Sequence, residues 1–322
     1  MTDNRAAAGV AARYVDIDAE LAGQRLDNFL ISFLRGVPRS HVYRLVRSGQ
    51  VRVNSGRVRP AYRIRAGDRI RIPPVRVHER APVRSSAGDF DWLEQRIVFE
   101  DDSLLLLDKP AGLAVHGGSG ISIGCIEALR ILRPEVRALE LVHRLDRETS
   151  GCLLVAKRRS TLRTLHALLR SHGIRKYYLT LASGSWPRRL TRVDHSLTKH
   201  RRGAQARVKV ADDGRHSVTY FEPLVRFGQF ATLLGVTLET GRTHQIRVHA
   251  AAAGHPLAGD AQYGSARFNE QLAQRGLTRM FLHAASVSFT WPDTEDDVFG
   301  VCVPMPDDLQ RMLAKLRRMR QA

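Results

Sequence analysis

The run HRLDRETSG, residues 143–151, sets one carboxylate, Asp146, between Arg144 and Arg147, and no second acid is placed to help it. An aspartate so placed can be half of an ion pair, a nucleophile or a base, and taken alone Asp146 admits the structural and the catalytic reading equally. Two further polar clusters stand beside apolar runs. TGRTHQIRVH, residues 240–249, carries Arg242, His244, Gln245 and Arg247, and KYYLT, residues 176–180, carries two adjacent tyrosines. Each could be a hydrogen-bonded turn, but polar loops held by a rigid core are also where chemistry concentrates.

Other chemistries find no support. HGGSG at 116–120 has neither the glycine spacing of a dinucleotide loop nor the Lys-Ser/Thr of a phosphate loop, and reads as a backbone turn. His244 and His249 are five residues apart, the wrong interval for a zinc pair on one helix face, and the thirteen histidines form no ligand cluster. Cys125, Cys152 and Cys302 stand far apart and read as three small buried side chains in a reducing compartment. No metal and no small-molecule cofactor is expected.

The elements that must position these clusters are short apolar runs. RIVFEDDSLLLLDK, GCLLVAK, KYYLTLASG, HSVTYFEPL, FATLLGVTLETG and ASVSFTWP, punctuated by Gly and Pro, predict the strands of a mostly antiparallel sheet. If KYYLT is a strand its two tyrosines face opposite ways. Strand-like alternation in THQIRV puts Thr243, Gln245 and Arg247 on one side and His244, Ile246 and Val248 on the other. Helices flank the sheet. One is predicted behind a Ser160 cap, with Leu162, Leu165, Leu168 and Leu169 on its apolar face and Gly173 as its stop. Another closes the chain with Leu309, Met312, Leu313 and Leu316 at helical spacing.

Ahead of this body lies a different composition. Residues 24–72 hold twelve Arg and no Lys against two acids, Asp27 and Asp68, a net charge of +10 within a chain whose total is +19. Leu26, Phe29, Leu30, Phe33 and Leu34 mark one helix face. A second helix is predicted from a Ser40 cap to a Gly49 stop, with Arg44 and Arg47 sharing a face, and VRVN, SGR and RIRIP alternate as strands. Such one-sided charge calls for a polyanionic partner, and with no membrane-length apolar run the partner is expected to be nucleic acid met in the cytoplasm. The organisation is α+β: a tail over 1–13, a small α+β domain over 14–75, a Pro- and Ser-rich linker over 76–91, and a mostly antiparallel mixed-sheet domain with flanking helices over 92–322.

The leading segment resembles the S-four-type RNA-binding domain, on RLDNFL, VPRSHVYRLVRSGQVRVNSGRVRP and RIRAGDRIRIPP. VHRLDRETSGCLLVAK, KYYLTL, TGRTHQIRVHAAAAGHPLAGDAQYG, FLHAASVSF and DKPAGLAVHGGSG together resemble the pseudouridine synthases of structured RNA, in the branch carrying HRLD-x-x-T-S-G. The likeness spans about residues 20 to 318, departing at Thr180, where many relatives have a small apolar residue. It implies a monomeric catalytic domain acting on large-subunit ribosomal RNA. Asp146 would be the catalytic aspartate, Tyr178 would lie against the target base and share in proton transfer at its carbon 5, and Arg247 would pair with Asp146 and hold it ionised. Arg144 would fill the RNA stack as the uridine leaves it. Arg39, Arg44, Arg47, Arg52, Arg242 and His244 are the remaining candidates for RNA contact. The rivals are a silent RNA-binding ribosome-assembly factor, a synthase for another structured RNA, and a nucleoside hydrolase, for which the basic domain would be superfluous.

Overall fold

The computed structural model describes residues 12–19, 21–34, 37–75, 87–117, 123–136, 138–202, 205–292, 294 and 297–321. They belong to two compact units that divide between Ser85 and Ser86. Most of the expected tail, residues 76–86 of the expected linker and part of HGGSG lie outside the described residues.

In the first unit, Leu26–Phe33 and Arg39–Arg47 are helices, and Arg13–Asp16, Arg69–Ile72 and Arg52–Val53 form an antiparallel sheet in that order. Leu26, Phe29, Leu30 and Leu34 are buried as their spacing requires, whereas Phe33, at the helix end, is exposed and stacks on Phe29. The second helix starts before Ser40. Pro38 occupies the cap position with φ of −57°, and a proline tolerates a helix start because it has no N–H to leave unpaired. Gly49 ends the helix at φ of 73°, in the left-handed region. SGR is a turn and not a strand, with Asn54 and Ser55 at positive φ and Gly56 closing back on Val53. The two acids are both internal. Asp27 accepts from Arg25, Tyr43 and the Asn28 N–H, and Asp68 from Asn54, Tyr62 and the Arg65 N–H. Neither is left to neutralise the outer surface, where Arg39, Arg44 and Arg47 are exposed and Arg52 is half-buried.

The second unit is built on a ten-stranded sheet. Its path runs Ile97–Glu100, Leu104–Lys109, Ser150–Ala156, Leu282–Thr290, Arg175–Ser183, Ala231–Leu238, Val218–Phe227 and Arg192–Asp194. Val298–Cys302 pairs with Leu282–Thr290, and Glu140–Leu141 with Ser150–Ala156. All described pairings are antiparallel except the junction of Ser150–Ala156 with Leu282–Thr290, where His283 faces Ser150 and Ala284 faces Gly151. Gly151 has φ of 104°, and a Cβ there would lie 2.1 Å from the Ala284 carbonyl oxygen, so only glycine lets these central strands meet. Thr180, the residue that departs from the family pattern, is buried and donates its hydroxyl to the Phe281 carbonyl at 2.6 Å.

The helix expected behind Ser160 runs Arg159–Arg170 with Arg158 at its cap. His172, and not Gly173, takes the left-handed φ, 59°, while the Gly173 N–H closes on the Leu168 carbonyl. Within the expected linker, residues 87–91 already carry helical structure, a 3-10 turn Ala87–Phe90 leading into the helix Asp91–Glu94, whose Leu93 is in the core. Cys125 and Cys152 are buried, but Cys302 is exposed, being on the last-paired strand of the sheet. The hairpin Leu197–Arg202 with Gln205–Val210 and the helices Cys125–Leu132 and Ala266–Ala273 have no counterpart in the sequence reading. The hairpin is rich in charge, and its few apolar positions do not stand out as a strand. No helix among the described residues is long and apolar enough to cross a membrane.

Candidate active site

Asp146 lies within the polar loop that feeds the strand Ser150–Ala156. His143 is spent on the loop itself: its Nε2 accepts the Leu154 N–H at 3.1 Å, and burial lowers its pKa to about 4. The Thr149 N–H closes a turn on the Asp146 carbonyl, and Leu145 anchors the loop in the core. From the other side Lys109, fully buried, donates to the carbonyls of Pro110, Leu113 and Arg147 at 2.7, 2.8 and 3.1 Å, tying the KPAG turn to the residue after Asp146. Asp146 is thus on a stiff backbone, with its side chain 16% exposed.

TGRTHQIRVH is not a strand. After a turn, Gln245–Ala252 is a helix, and His244 at its cap is left-handed at φ of 55° and ψ of 20°. Gln245 explains the change. Its carbonyl oxygen accepts from the Thr240 hydroxyl and the Arg242 N–H, and its amide donates to the Val218 carbonyl and the Thr219 hydroxyl. A buried amide with each end so occupied pins the turn to the sheet, and the backbone strain at His244 is carried by that anchorage.

The helix delivers Arg247 to Asp146. Nη1 donates to Asp146 Oδ2 at 3.0 Å, while Nε and Nη2 make a bidentate pair with Asp260 at 2.7 and 2.8 Å. Asp260 also accepts the N–H groups of Gln262 and Tyr263. Burial raises the pKa of Asp260, but Arg247 and those N–H groups more than reverse it and hold the group below the ordinary carboxylate range. Burial likewise works against the Arg247 cation, and the Asp260 and Asp146 carboxylates outweigh it. The Tyr263 ring lies 4.9 Å from the guanidinium carbon, and its hydroxyl accepts the Val208 N–H and meets His244 Nδ1 at 2.9 Å. His244 Nε2 is then 3.8 Å from Asp146 Oδ2. Burial lowers the His244 pKa although Asp146 pulls the other way, so the ring is neutral near pH 7. Arg247 and the His244 ring therefore both approach Oδ2, and no hydrogen bond or ion pair reaches Oδ1 among the described residues.

Asp146, Tyr178, Arg247, Arg144, Arg242 and His244 all line one cavity of about 310 Å³, at the lower end of the range of ligand clefts. Ile246, Leu238 and Leu282 supply apolar wall. Burial pushes the Tyr178 phenol above its ordinary pKa and the negative Asp146 adds to this, so it stays neutral. Arg144, Arg242 and Arg170 are exposed at the rim. Arg39, Arg44, Arg47 and Arg52 are on the other unit. Asp260, Tyr263, Lys176 and Arg170 escaped the sequence reading. Asp260 and Tyr263 stand in GDAQYG, a block quoted for its family likeness, but nothing local links them to Asp146.

Comparison with known proteins bears on this arrangement. Residues 103–252 match the family described as RNA pseudouridylate synthase, and residues 24–70 match the S4 domain. The chain is 48% identical, over 97% of its length and 96% of the relative's, to the ribosomal large subunit pseudouridine synthase C of Pasteurella multocida (strain Pm70). It is 50% identical, over 96% of its length and 98% of the relative's, to the protein of that name from Escherichia coli (strain K12). Human RNA Pseudouridylate Synthase Domain Containing 4 shares the fold, with a TM-score of 0.58 and 22% identity over 72% of this chain and 96% of that one. With identity of this order along nearly its whole length, the chain belongs to the RNA pseudouridylate synthase family, isomerases that convert uridine in RNA to pseudouridine.

Proposed function

We propose that this synthase isomerises uridines of large-subunit ribosomal RNA, with Asp146 as its catalytic aspartate. The observation that carries the reading is the one-sided clamp on Asp146, Oδ2 held by Arg247 and Oδ1 left open in a cavity rimmed by arginines. The names of the relatives support the choice of RNA. Isomerisation breaks the bond from C1′ to N1, turns the base, and joins C1′ to carbon 5, with no net redox change. The target nucleotide must first leave its stack, at a cost of about a few kcal/mol. Arg144, exposed and without an ion pair among the described residues, fills the gap it leaves.

Glycosidases use two carboxylates because a sugar oxygen must be protonated as it departs. Uracil spreads the charge over its own ring, so one carboxylate suffices, either attacking C1′ or taking a proton from C2′. Tyr178 lies against the base. As a neutral phenol it can take the proton from carbon 5 only while releasing its own. Arg39, Arg44, Arg47 and Arg52 grip phosphates, and Arg242 and His244 meet the RNA near the cavity. Work in the cytoplasm is supported by three unpaired cysteines, and action as a monomer completes the reading.

The test is Asp146→Asn. RNA binding is expected to persist and pseudouridine formation to vanish; modification surviving in the variant would sink the assignment. Mapping pseudouridines in ribosomal RNA with and without the gene tests the substrate.

A further inference from the structure

Lys176 has no place in the scheme so far. It precedes Tyr178 by two positions on the strand Arg175–Ser183, and alternation sends both side chains to one face. Both line the cavity. Lys176 is only 8% exposed, and among the described residues no ion pair or hydrogen bond holds its ammonium, which is not sealed inside the protein and belongs to a side chain lining the cavity. Lys109, the other deeply buried lysine, shows what a structural role demands, since it is ringed by three carbonyls. A lysine whose stem is buried and whose ammonium has no protein counter-charge beside a cavity is suited to an anionic ligand there. Its Nζ is beside the 240–242 turn, near enough that a Cβ added to Gly241 would be 3.5 Å away.

Charge balance indicates what that ligand is. Asp146 and Asp260 share the single cation Arg247, which leaves one negative charge uncompensated next to the sugar. Heterolysis of C1′–N1 then sends its electron pair to N1 and out to the two carbonyl oxygens of the base. Attack on C1′ or removal of the C2′ proton neutralises Asp146 in the same step, so the uncompensated charge moves onto the base and away from Arg247, and a preorganised donor at its new position lowers the barrier.

Resting on the assignment of Asp146 above, we infer that Lys176 is a further catalytic residue, donating a hydrogen bond from its ammonium to a uracil carbonyl and stabilising the departing base anion. The lysine keeps its proton throughout. The pair on N1 is relieved when carbon 5 bonds to C1′, as the Asp146–C1′ bond breaks or Asp146 returns its proton to C2′, and the carbon 5 proton ends on N1, so the step balances and Asp146 is regenerated.

The test is leaving-group dependence, measured with Lys176→Met and Lys176→Arg in the full chain. Single-turnover cleavage of C1′–N1 is followed on RNA carrying uridine and on the same RNA carrying 5-fluorouridine, whose fluorine already stabilises the anion. Lys176→Met is expected to lose about 10²-fold on uridine but about 10-fold or less on 5-fluorouridine, with Lys176→Arg recovering part of the uridine loss. A poorly folded variant lowers both rates equally and leaves their ratio unmoved, so equal losses on the two RNAs overturn the inference, as does a loss confined to RNA affinity. If the wild-type chain converts no uridine, or Asp146→Asn still does, the assignment of Asp146 fails first and takes this inference with it.

Discussion

Two carboxylates flank Arg247, and replacing them one at a time should separate chemistry from stability. Asp260 is fully buried and takes both Arg247 bonds at 2.7 and 2.8 Å plus two backbone N–H groups, whereas Asp146 is 16% exposed and takes one bond at 3.0 Å. Removing one partner of a buried pair costs roughly 3–5 kcal/mol, because the other charge is stranded. Asp260→Asn is therefore expected to lower Tm by about 10 °C for a unit of this size. Asp146→Asn leaves Arg247 its bidentate partner and an amide oxygen in place of Oδ2, so its cost is about 1 kcal/mol or less. The rates should run differently. Asp146→Asn makes no pseudouridine, and Asp260→Asn, with Arg247 no longer held from behind, slows by about 10²-fold through misplacement of the Asp146 carboxylate. Thermal unfolding of both variants and single-turnover product formation measure the four quantities. Equal losses of Tm, or a wild-type rate in Asp260→Asn, would refute the view that Asp260 anchors the arginine and Asp146 does not.

Three further outcomes are expected. Replacing exposed Arg44 and Arg47 together by Gln should weaken RNA binding at every sequence and reduce the slope of log affinity against log salt by about 1.5, read from a salt titration. Gly151→Ala, which drives a Cβ to 2.1 Å from Ala284 O at φ of 104°, should cost about 3 kcal/mol or more, read by denaturant unfolding. His249 is 0% exposed, neither ring nitrogen has a hydrogen-bond partner among the described residues, and burial lowers its pKa from 6.5 to about 4. Its neutral ring favours the folded state fully above pH 6.5, and that advantage, about 3 kcal/mol, is lost as pH falls towards 4. His249→Leu should show a correspondingly shallower acid limb of stability.

Composition and periodicity carried the broad organisation. The arginine-rich segment with its helix pair, the apolar runs and the closing helix were all legible, because burial leaves a period of two or of 3.6 in any chain with one face to solvent. Asp146, Tyr178 and Arg247 were legible only as members of blocks resembling a family, since no interval along the chain relates residues that folding brings together. THQIRV marks the limit. Ile246 and Val248 alternate as in a strand, yet the segment is a helix, because Gln245 finds its four partners only on the neighbouring strand and turn. Ser40 and Ser160 look like caps in one dimension, but the helices begin earlier, at Pro38 and Arg158, where the chain leaves the preceding packing. The second carboxylate on Arg247, the clamp on one oxygen of Asp146 and the unpartnered Lys176 were decided by tertiary structure alone. Each depends on where a sheet edge, a turn and a helix end meet, and that meeting is set by packing across a hundred residues, which local propensity does not encode.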